Sequence, residues 1–197
     1  MAQILVVYHS RLGSVQAMAD LISRGVASVT GCEAILRTVP KVASTIVEPE
    51  PAIPASGPPY VTLEELSDCD GLLLGSPTRF GNMSAEMKFF LDSTSKLWMS
   101  GALSGKPAAV FSSSSSMHGG QESTLLSMMN PLLHHGMIIS GIPYSEPALA
   151  KTTTGGTPYG ATHVAGSNNN QPISDDEKAL CLALGKRVAS LAQKLKN

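Results

Sequence analysis

The chain has 197 residues, of which 43% are hydrophobic and 15% charged, and its formal net charge is -1. This length suits one domain with a well-buried core, and so small a net charge excludes the basic field that nucleic-acid binding needs. No apolar run approaches the roughly 20 residues of a membrane span, and no secretory signal is visible, so we expect a cytoplasmic protein without a membrane span.

Strand and helix patterns alternate from the first residues onward. Near-continuous aliphatic runs are typical of strands that are buried on both faces of a parallel sheet, whereas apolar residues at three- and four-residue spacing indicate helices. In the first half, the patterns predict strands over 3–8, 33–39 and 70–75 and helices over 15–29, 63–66 and 83–98. Six of the 13 prolines lie between Pro40 and Tyr60, which predicts a surface loop there.

The second half continues the same alternation. It predicts strands over 106–111 and 137–142, a helix over 121–135 with a kink or a fresh start at Pro131, and a final helix to residue 195. Ser174 and Glu177 form a predicted capping box for that last helix. The segment 143–172, between the last predicted strand and the last helix, is predicted to be an unusually long loop with a possible short strand at 161–165.

Five strands with helices between them predict a doubly wound five-stranded parallel sheet, with helices on both faces. No internal repeat or second core is visible. We therefore expect one domain over residues 1–197, with insertions at about 40–61 and 143–172.

The loop after the first predicted strand is rich in hydroxyl groups and opens a helix. It reads Ser10-Arg11-Leu12-Gly13-Ser14-Val15. Free amides at a helix N-terminus attract a phosphate group, and the loop has neither the GxxxxGK nor the GxGxxG pattern, so a monoester phosphate fits it best. An ordinary strand-to-helix turn with a serine cap is an equally good interpretation of this loop alone.

Two further loops should meet the first at the same edge of the sheet, because they follow the third and fourth strands. In the loop 76–82, Pro77 stiffens the turn and Gly81 lets backbone lie close to a flat ligand. In the loop that begins with the serine run 112–116, the residues through Gly120 offer backbone amides with little bulk at the end. Alone, a serine run is more often a solvated linker.

Four separated stretches together carry a family resemblance: Ser76-Pro-Thr-Arg-Phe-Gly-Asn-Met-Ser84, Leu97-Trp-Met-Ser-Gly-Ala-Leu103, His134-His-Gly-Met137 and Gly155-Gly-Thr-Pro-Tyr-Gly-Ala-Thr162. Through them the chain resembles the WrbA family of flavodoxin-like NAD(P)H:quinone oxidoreductases, from about residue 3 to the C-terminus. The resemblance implies a flavodoxin-like strand order 2-1-3-4-5, bound FMN, NADH or NADPH as co-substrate, and a quinone substrate. It also implies a homotetramer in which each FMN lies near a subunit boundary.

The resemblance further implies roles for individual residues. FMN contacts fall on a phosphate loop, a flavin-ring loop and a third loop: Ser10, Arg11, Leu12, Gly13, Ser14 and Val15; Pro77, Thr78, Arg79, Phe80 and Gly81; and Ser113, Ser114, Ser115, Ser116, Met117, His118 and Gly119. By the same resemblance, His134 would lie beside the flavin as the catalytic residue, and Leu12 and Trp98 would bind the substrate. Leu12 stands where the family often has an aromatic residue, and the third loop is one residue longer than its more glycine-rich counterpart.

Several of these residues also have plainer interpretations. A lone tryptophan such as Trp98 is usually a packing residue, and Arg79 is either a solvated loop charge or a group that stabilises charge on the flavin. On a helix, His134 and His135 point about 100° apart, so they cannot share a metal ion and one of them is a core or cap residue. The three cysteines are scattered, and we expect neither a disulfide framework nor a metal site.

Three functions remain open at this point: a quinone reductase, a monomeric one-electron carrier of the flavodoxin type, and a non-catalytic interaction protein, as the family's older name of tryptophan-repressor-binding protein suggests. Near-zero charge and the long segment 143–172 disfavour the carrier, and the lack of a basic groove or recognition helix disfavours DNA binding. A bound yellow chromophore separates the first two functions from the third. Turnover with NADH and benzoquinone then separates the first from the second.

Overall fold

A computed structural model describes residues 1–43, 54 and 56–196 of the chain. The predicted strands and helices alternate as expected, and their bounds are β1 Ala2–Tyr8, α1 Ser14–Ala27, β2 Cys32–Thr38, α2 Leu63–Asp68, β3 Gly71–Pro77, α3 Ala85–Asp92, α4 Ser95–Ser100, β4 Pro107–Ser114, α5 Gln121–His134, β5 Ile138–Ile139, α6 Pro147–Lys151, β6 Gly160–Val164 and α7 Asp175–Leu195. Most of the predicted proline-rich loop lies outside the described residues, since 44–53 and 55 are not among them.

All strand pairs of the sheet are parallel, and the order β2-β1-β3-β4-β5 confirms the predicted fold class. Two apolar clusters cover the sheet, one on each face. The inner sides of α1 and α7 pack on one face, and those of α2, α3 and α5 pack on the other. This two-sided burial explains why β1, β3 and the first half of β4 are continuous apolar runs rather than alternating ones.

The fifth position of the sheet is shared by two short strands. β5 pairs only with Pro107 and Ala108 at the start of β4, and β6 pairs with the remaining stretch from Val110 to Ser114. The described residues therefore form a sheet of six strands rather than the predicted five. The predicted strand over 137–142 is present only at Ile138–Ile139, and the short strand near 161–165 is confirmed as β6. The chain leaves the sheet after Ser140, because Ile142 donates its N–H to the Pro158 carbonyl of the returning segment at 2.9 Å instead of pairing with β4.

The predicted helix over 83–98 is two helices, because side-chain hydroxyls compete for backbone carbonyls at the break. Ser93 donates to the Phe90 carbonyl at 2.6 Å, and Thr94 donates to the Leu91 carbonyl at 2.7 Å. At Pro131 the opposite holds, since α5 is continuous through the proline and no new helix starts there. The Ser174–Glu177 capping box of α7 is present as predicted.

Strand β4 extends three residues beyond the predicted end at Phe111. Ser112, Ser113 and Ser114 are buried although they are polar, because β3 and β6 flank them on both sides. Ser112 donates its hydroxyl to the Ser76 carbonyl at 2.9 Å, and Gln121 donates to the Ser114 hydroxyl at 2.8 Å. Satisfied hydroxyl groups can be buried at little cost, so a serine run was compatible with a central strand.

Candidate functional site

The three predicted loops lie together in one pocket at the carboxyl edge of β1, β3 and β4. The predicted site residues that line it are Ser10, Arg11, Leu12, Ser14, Val15, Pro77, Thr78, Arg79, Ser113, Ser114 and Ser115. Both charged residues among the described lining are arginines, so the lining favours an anionic ligand. The position is the switch point of the sheet, where doubly wound folds bind their ligands.

The first loop has the geometry of an anion site. Gly13 precedes α1 with φ 93°, a left-handed conformation that favours glycine, and no side chain in the described part of the chain caps the helix. Ser10 accepts the Gly13 N–H at 3.1 Å through its hydroxyl oxygen, which leaves the hydroxyl hydrogen free to donate to a ligand. The amides that open α1 and the Ser10 hydroxyl therefore suit a phosphate group.

The second loop is held rigidly and presents an aromatic side chain. The Arg79 N–H donates to the Asn82 carbonyl at 2.7 Å and the Asn82 N–H returns a bond to Arg79 at 2.9 Å, which closes a tight turn. Phe80, inside that turn, has φ 52° and a fully exposed side chain. A strained backbone that presents an aromatic ring to solvent is typical of a ligand or subunit contact.

The third loop is tied to the second at its base. Thr78 donates its N–H to the Ser113 carbonyl at 3.0 Å, and its hydroxyl lies 2.7 Å from that of Thr124 in α5. Beyond Ser115 the predicted residues leave the pocket. Met117 and His118 line a neighbouring depression together with Thr154 and Thr157, and Gly13, Phe80, Gly81, Ser116 and Gly119 line neither.

The structure adds a fourth segment that the sequence predictions missed. Ala165, Gly166, Ser167 and Asn169, which follow β6, line the pocket beside the first loop. They reach it because β6 lies next to β4 in the sheet, where the Ala165 N–H donates to the Ser114 carbonyl at 2.8 Å. The available signal was the possible strand at 161–165, since the carboxyl end of any parallel strand falls at this edge.

His134 and Trp98 do not lie in this pocket within one chain. Ile138 donates its N–H to the Lys106 carbonyl at 2.9 Å, so the end of α5 is beside the start of β4 at the amino edge of the sheet. The pocket lies at the other end of β4, roughly 20 Å away at about 3.3 Å per residue. Both side chains are exposed, and the placement of His134 beside the flavin stays a prediction.

His135, the neighbour of His134, ties together the two helices that bear these residues. Its Nε2 lies 2.8 Å from the hydroxyl of Thr94 at the start of α4. Because Thr94 gives its own hydrogen to the Leu91 carbonyl, His135 must donate from Nε2. Burial, with His134 nearby, lowers the pKa of His135, so this histidine is a neutral structural residue. The ends of α5 and α4 that bear His134 and Trp98 are therefore joined to each other.

Two negative findings concern the described residues. None of their helices is both long and apolar enough to cross a membrane. Residues 1–43, 54 and 56–196 contain no group of three or more His, Cys, Asp or Glu side chains that could hold a metal ion.

The strand order, the uncapped helix at the first loop and the three loops of the pocket define a flavodoxin-like protein. The fold matches that of a WrbA-like flavodoxin from Agrobacterium tumefaciens with a TM-score of 0.68, at 23% identity over 99% of both chains. It matches oxidised flavodoxin 1 from Bacillus cereus with a TM-score of 0.61, at 19% identity over 96% of this chain and 98% of the other. At these identities the similarity concerns the fold.

Sequence comparisons are more specific. Residues 13–146 match the family of NADPH-dependent FMN reductases. The chain is 45% identical over 200 residues to a protein of Geotalea daltonii and 44% identical over 202 residues to one of Solidesulfovibrio magneticus, each covering 98% of both chains. Both relatives are named NAD(P)H dehydrogenase (quinone). The chain belongs to the family of these NAD(P)H dehydrogenases (quinone), which confirms the resemblance drawn from its motifs.

Proposed function

We propose that the chain is an FMN-dependent NAD(P)H:quinone oxidoreductase that reduces quinones to hydroquinones by two electrons, with nicotinamide and quinone using one site in turn. The observation that carries this proposal is that the loops 10–15, 77–79 and 113–115 line one pocket at the switch point of the sheet. The names of the relatives support the same activity. FMN, when bound, supplies the chemistry that accepts and donates hydride.

The residues present fit FMN. The amides that open α1 and the Ser10 hydroxyl would hold the phosphate, with Arg11 adding positive charge at the pocket rim. Pro77, Thr78 and Arg79 would lie along the flavin ring, where the guanidinium of Arg79 would stabilise negative charge. A planar quinone or nicotinamide would then enter from the open side, where Leu12 is exposed.

One spectrum tests this proposal. The purified protein is expected to absorb as a flavoprotein and to lose that absorbance on anaerobic addition of NADH or NADPH. Benzoquinone should then restore it, with two electrons passed per flavin. A colourless protein would support the interaction-module alternative, and a flavoprotein that nicotinamide cannot reduce would support the one-electron carrier.

We also propose that the active protein is a homotetramer, and exposed apolar side chains on α3, α4 and α5 support an interface there. They are Phe89, Trp98, Met99, Leu126 and Leu133. Burying such a patch between copies removes apolar surface from water. These side chains add a second candidate interface to the segment 143–172 that the sequence suggested, where Tyr144 and Tyr159 are also exposed.

Leu126→Glu is therefore expected to break the assembly into smaller species in sedimentation velocity. Leu195→Glu is the matched control, because Leu195 on α7 is similarly exposed, at 49% against 46% for Leu126. It should leave the assembly of the parent unchanged. A parent protein that is fully active as a monomer would contradict the tetramer.

His134 and Trp98 could reach the flavin only across such an interface, since they lie at the opposite edge of their own chain from the pocket. There the His134 ring would donate an N–H to a quinone oxygen as negative charge develops on it. His134→Ala is expected to slow quinone reduction about 10-fold while FMN content stays equal, because water can partly replace the lost donor. Stopped-flow measurement of each half-reaction isolates the step, and parent rates in both would show that His134 is structural.

A mixing experiment tests the action across subunits. Chains with Ser14→Glu should lack FMN but keep His134, whereas chains with His134→Ala should keep FMN. Mixed assemblies of the two are expected to reduce quinone faster than the sum of the separate variants. No gain in confirmed mixed assemblies would place His134 outside the neighbouring site.

A further inference from the structure

Asn169 connects the fourth segment of the pocket to the first loop through both polar atoms of its side chain. Its Oδ1 accepts a hydrogen bond from the Ser14 hydroxyl at 2.8 Å, and its Nδ2 donates to the Leu12 carbonyl at 3.0 Å. One amide thus spans the two residues that flank Gly13. Asn169 also lines the pocket itself.

The orientation of this amide follows from its partners. A carbonyl oxygen only accepts, so the atom that faces Leu12 must be the NH₂ group, and the atom that faces Ser14 must be the oxygen. The single hydroxyl hydrogen of Ser14 is therefore committed to Asn169. Ser14 cannot donate to a phosphate in this arrangement, which leaves the backbone amides, the Ser10 hydroxyl and the Arg11 guanidinium as the donors of the first loop.

The backbone around Asn169 shows that its position is specific. Among the described residues, Asn169 and Phe80 are the two non-glycine residues with positive φ, and Asn169 has φ 53°. Asn168 and Asn170 on either side are exposed, whereas Asn169 is half-buried. The segment is fixed to β4, because the Ala165 N–H is bonded to the Ser114 carbonyl.

We propose that Asn169 is a positioning residue that holds the first loop in its anion-binding shape and so sets the preference for phosphorylated over unphosphorylated flavin. The Leu12 carbonyl is bound by Asn169, whereas a free carbonyl could turn toward the pocket and repel a phosphate. A loop ordered before the ligand arrives loses less entropy on binding. The inference rests on the proposed function, because it takes FMN as the ligand.

The test compares Asn169→Gly with Asn168→Gly in flavin-free protein. Glycine suits a positive φ, so Asn169→Gly removes the amide without straining the backbone, and Asn168→Gly adds similar flexibility one residue away. The dissociation constants of FMN and riboflavin are measured by quenching of flavin fluorescence. Asn169→Gly is expected to weaken FMN about 10-fold, in line with two neutral hydrogen bonds, and riboflavin less than about 2-fold. Asn168→Gly should change neither by more than about 2-fold.

A double-mutant cycle with Ser14→Ala supplies a second measurement. Since both variants remove the same hydrogen bond, their combined effect on FMN should be smaller than the product of the separate effects. Equal weakening of FMN and riboflavin, tighter FMN binding, or a matching loss in Asn168→Gly would each overturn the inference. A parent protein that binds no FMN would contradict the proposed function as well, whereas unchanged FMN binding in Asn169→Gly contradicts only this inference.

Discussion

Replacing Ser14 with glutamate is expected to weaken FMN binding by at least about 100-fold while the fold stays intact. Ser14 is the first residue of α1, directly at the amides that the proposal gives to the phosphate. A carboxylate there would accept hydrogen bonds from those amides and repel the phosphate. Two unit charges 4 Å apart interact by about 4 kcal/mol near a protein surface, and each 1.4 kcal/mol is a factor of ten in affinity.

The matched control is Ser14→Gln, which has the shape of glutamate without its charge. Both variants lose the Ser14–Asn169 hydrogen bond, so the difference between them isolates the electrostatic effect. The flavin-free glutamate variant should be at least as stable as the glutamine variant, because a negative charge is favourable at a helix N-terminus. Undiminished FMN in purified Ser14→Glu would show that the phosphate is bound elsewhere.

Much of the site could be predicted because its loops follow continuous buried strands. The runs before Ser10 and Ser76 are aliphatic, so their ends, and the loops beyond them, were visible in the sequence. The serines of β4 were harder to assign to a strand, because a run of serines predicts a loop unless the hydrogen-bond partners of its hydroxyl groups are known. Gln121, which donates to Ser114, lies seven residues away and belongs to another element.

Local patterns indicated the short strand before the fourth segment but could not place Asn169 beside the first loop. Asn169 contacts Leu12 and Ser14 because β6, which precedes it, pairs with β4. That pairing joins residues far apart in the sequence. The neighbours Asn168 and Asn170 are the same residue type, so composition could not single out Asn169. For His134 the motif was recognisable in the sequence, but its position was not. The distance of His134 from the pocket depends on where α5 ends in the folded chain.

Glu177→Ala is expected to destabilise the fold strongly, because this buried carboxylate joins three segments. It accepts the backbone N–H groups of Gly155 at 2.8 Å, Val164 at 3.0 Å and Ser174 at 2.8 Å, and Nδ1 of His163 lies 2.9 Å away. The Glu177 and His163 side chains are only 1% and 2% exposed. Removing the acceptor leaves several buried donors unsatisfied, at about 1–3 kcal/mol each, so we expect a loss of at least about 3 kcal/mol.

The contribution of Glu177 to the free energy of unfolding should depend on pH. Burial by itself would raise the pKa of Glu177, but the hydrogen bonds from His163 and from the three backbone amides outweigh it and lower the pKa from 4.5 to about 2. A carboxyl whose pKa is lower in the folded state stabilises the fold above its unfolded pKa, and that contribution disappears as the pH falls. The parent should therefore lose about 3 kcal/mol between about pH 4.5 and pH 2 through this group, at about 1.4 kcal/mol per pKa unit.

Urea unfolding of flavin-free protein at several pH values measures both effects. Asp175→Ala is the control, because Asp175 is an exposed acid in the same first turn of α7. It should cost under about 1 kcal/mol, the usual value of a charge at a helix end, and keep the acid sensitivity of the parent. In Glu177→Ala the free energy of unfolding should be lower at pH 7 and should fall less steeply between pH 4.5 and pH 2. Parallel pH profiles for Glu177→Ala and the parent would show that the Glu177 carboxylate does not stabilise the fold through these bonds.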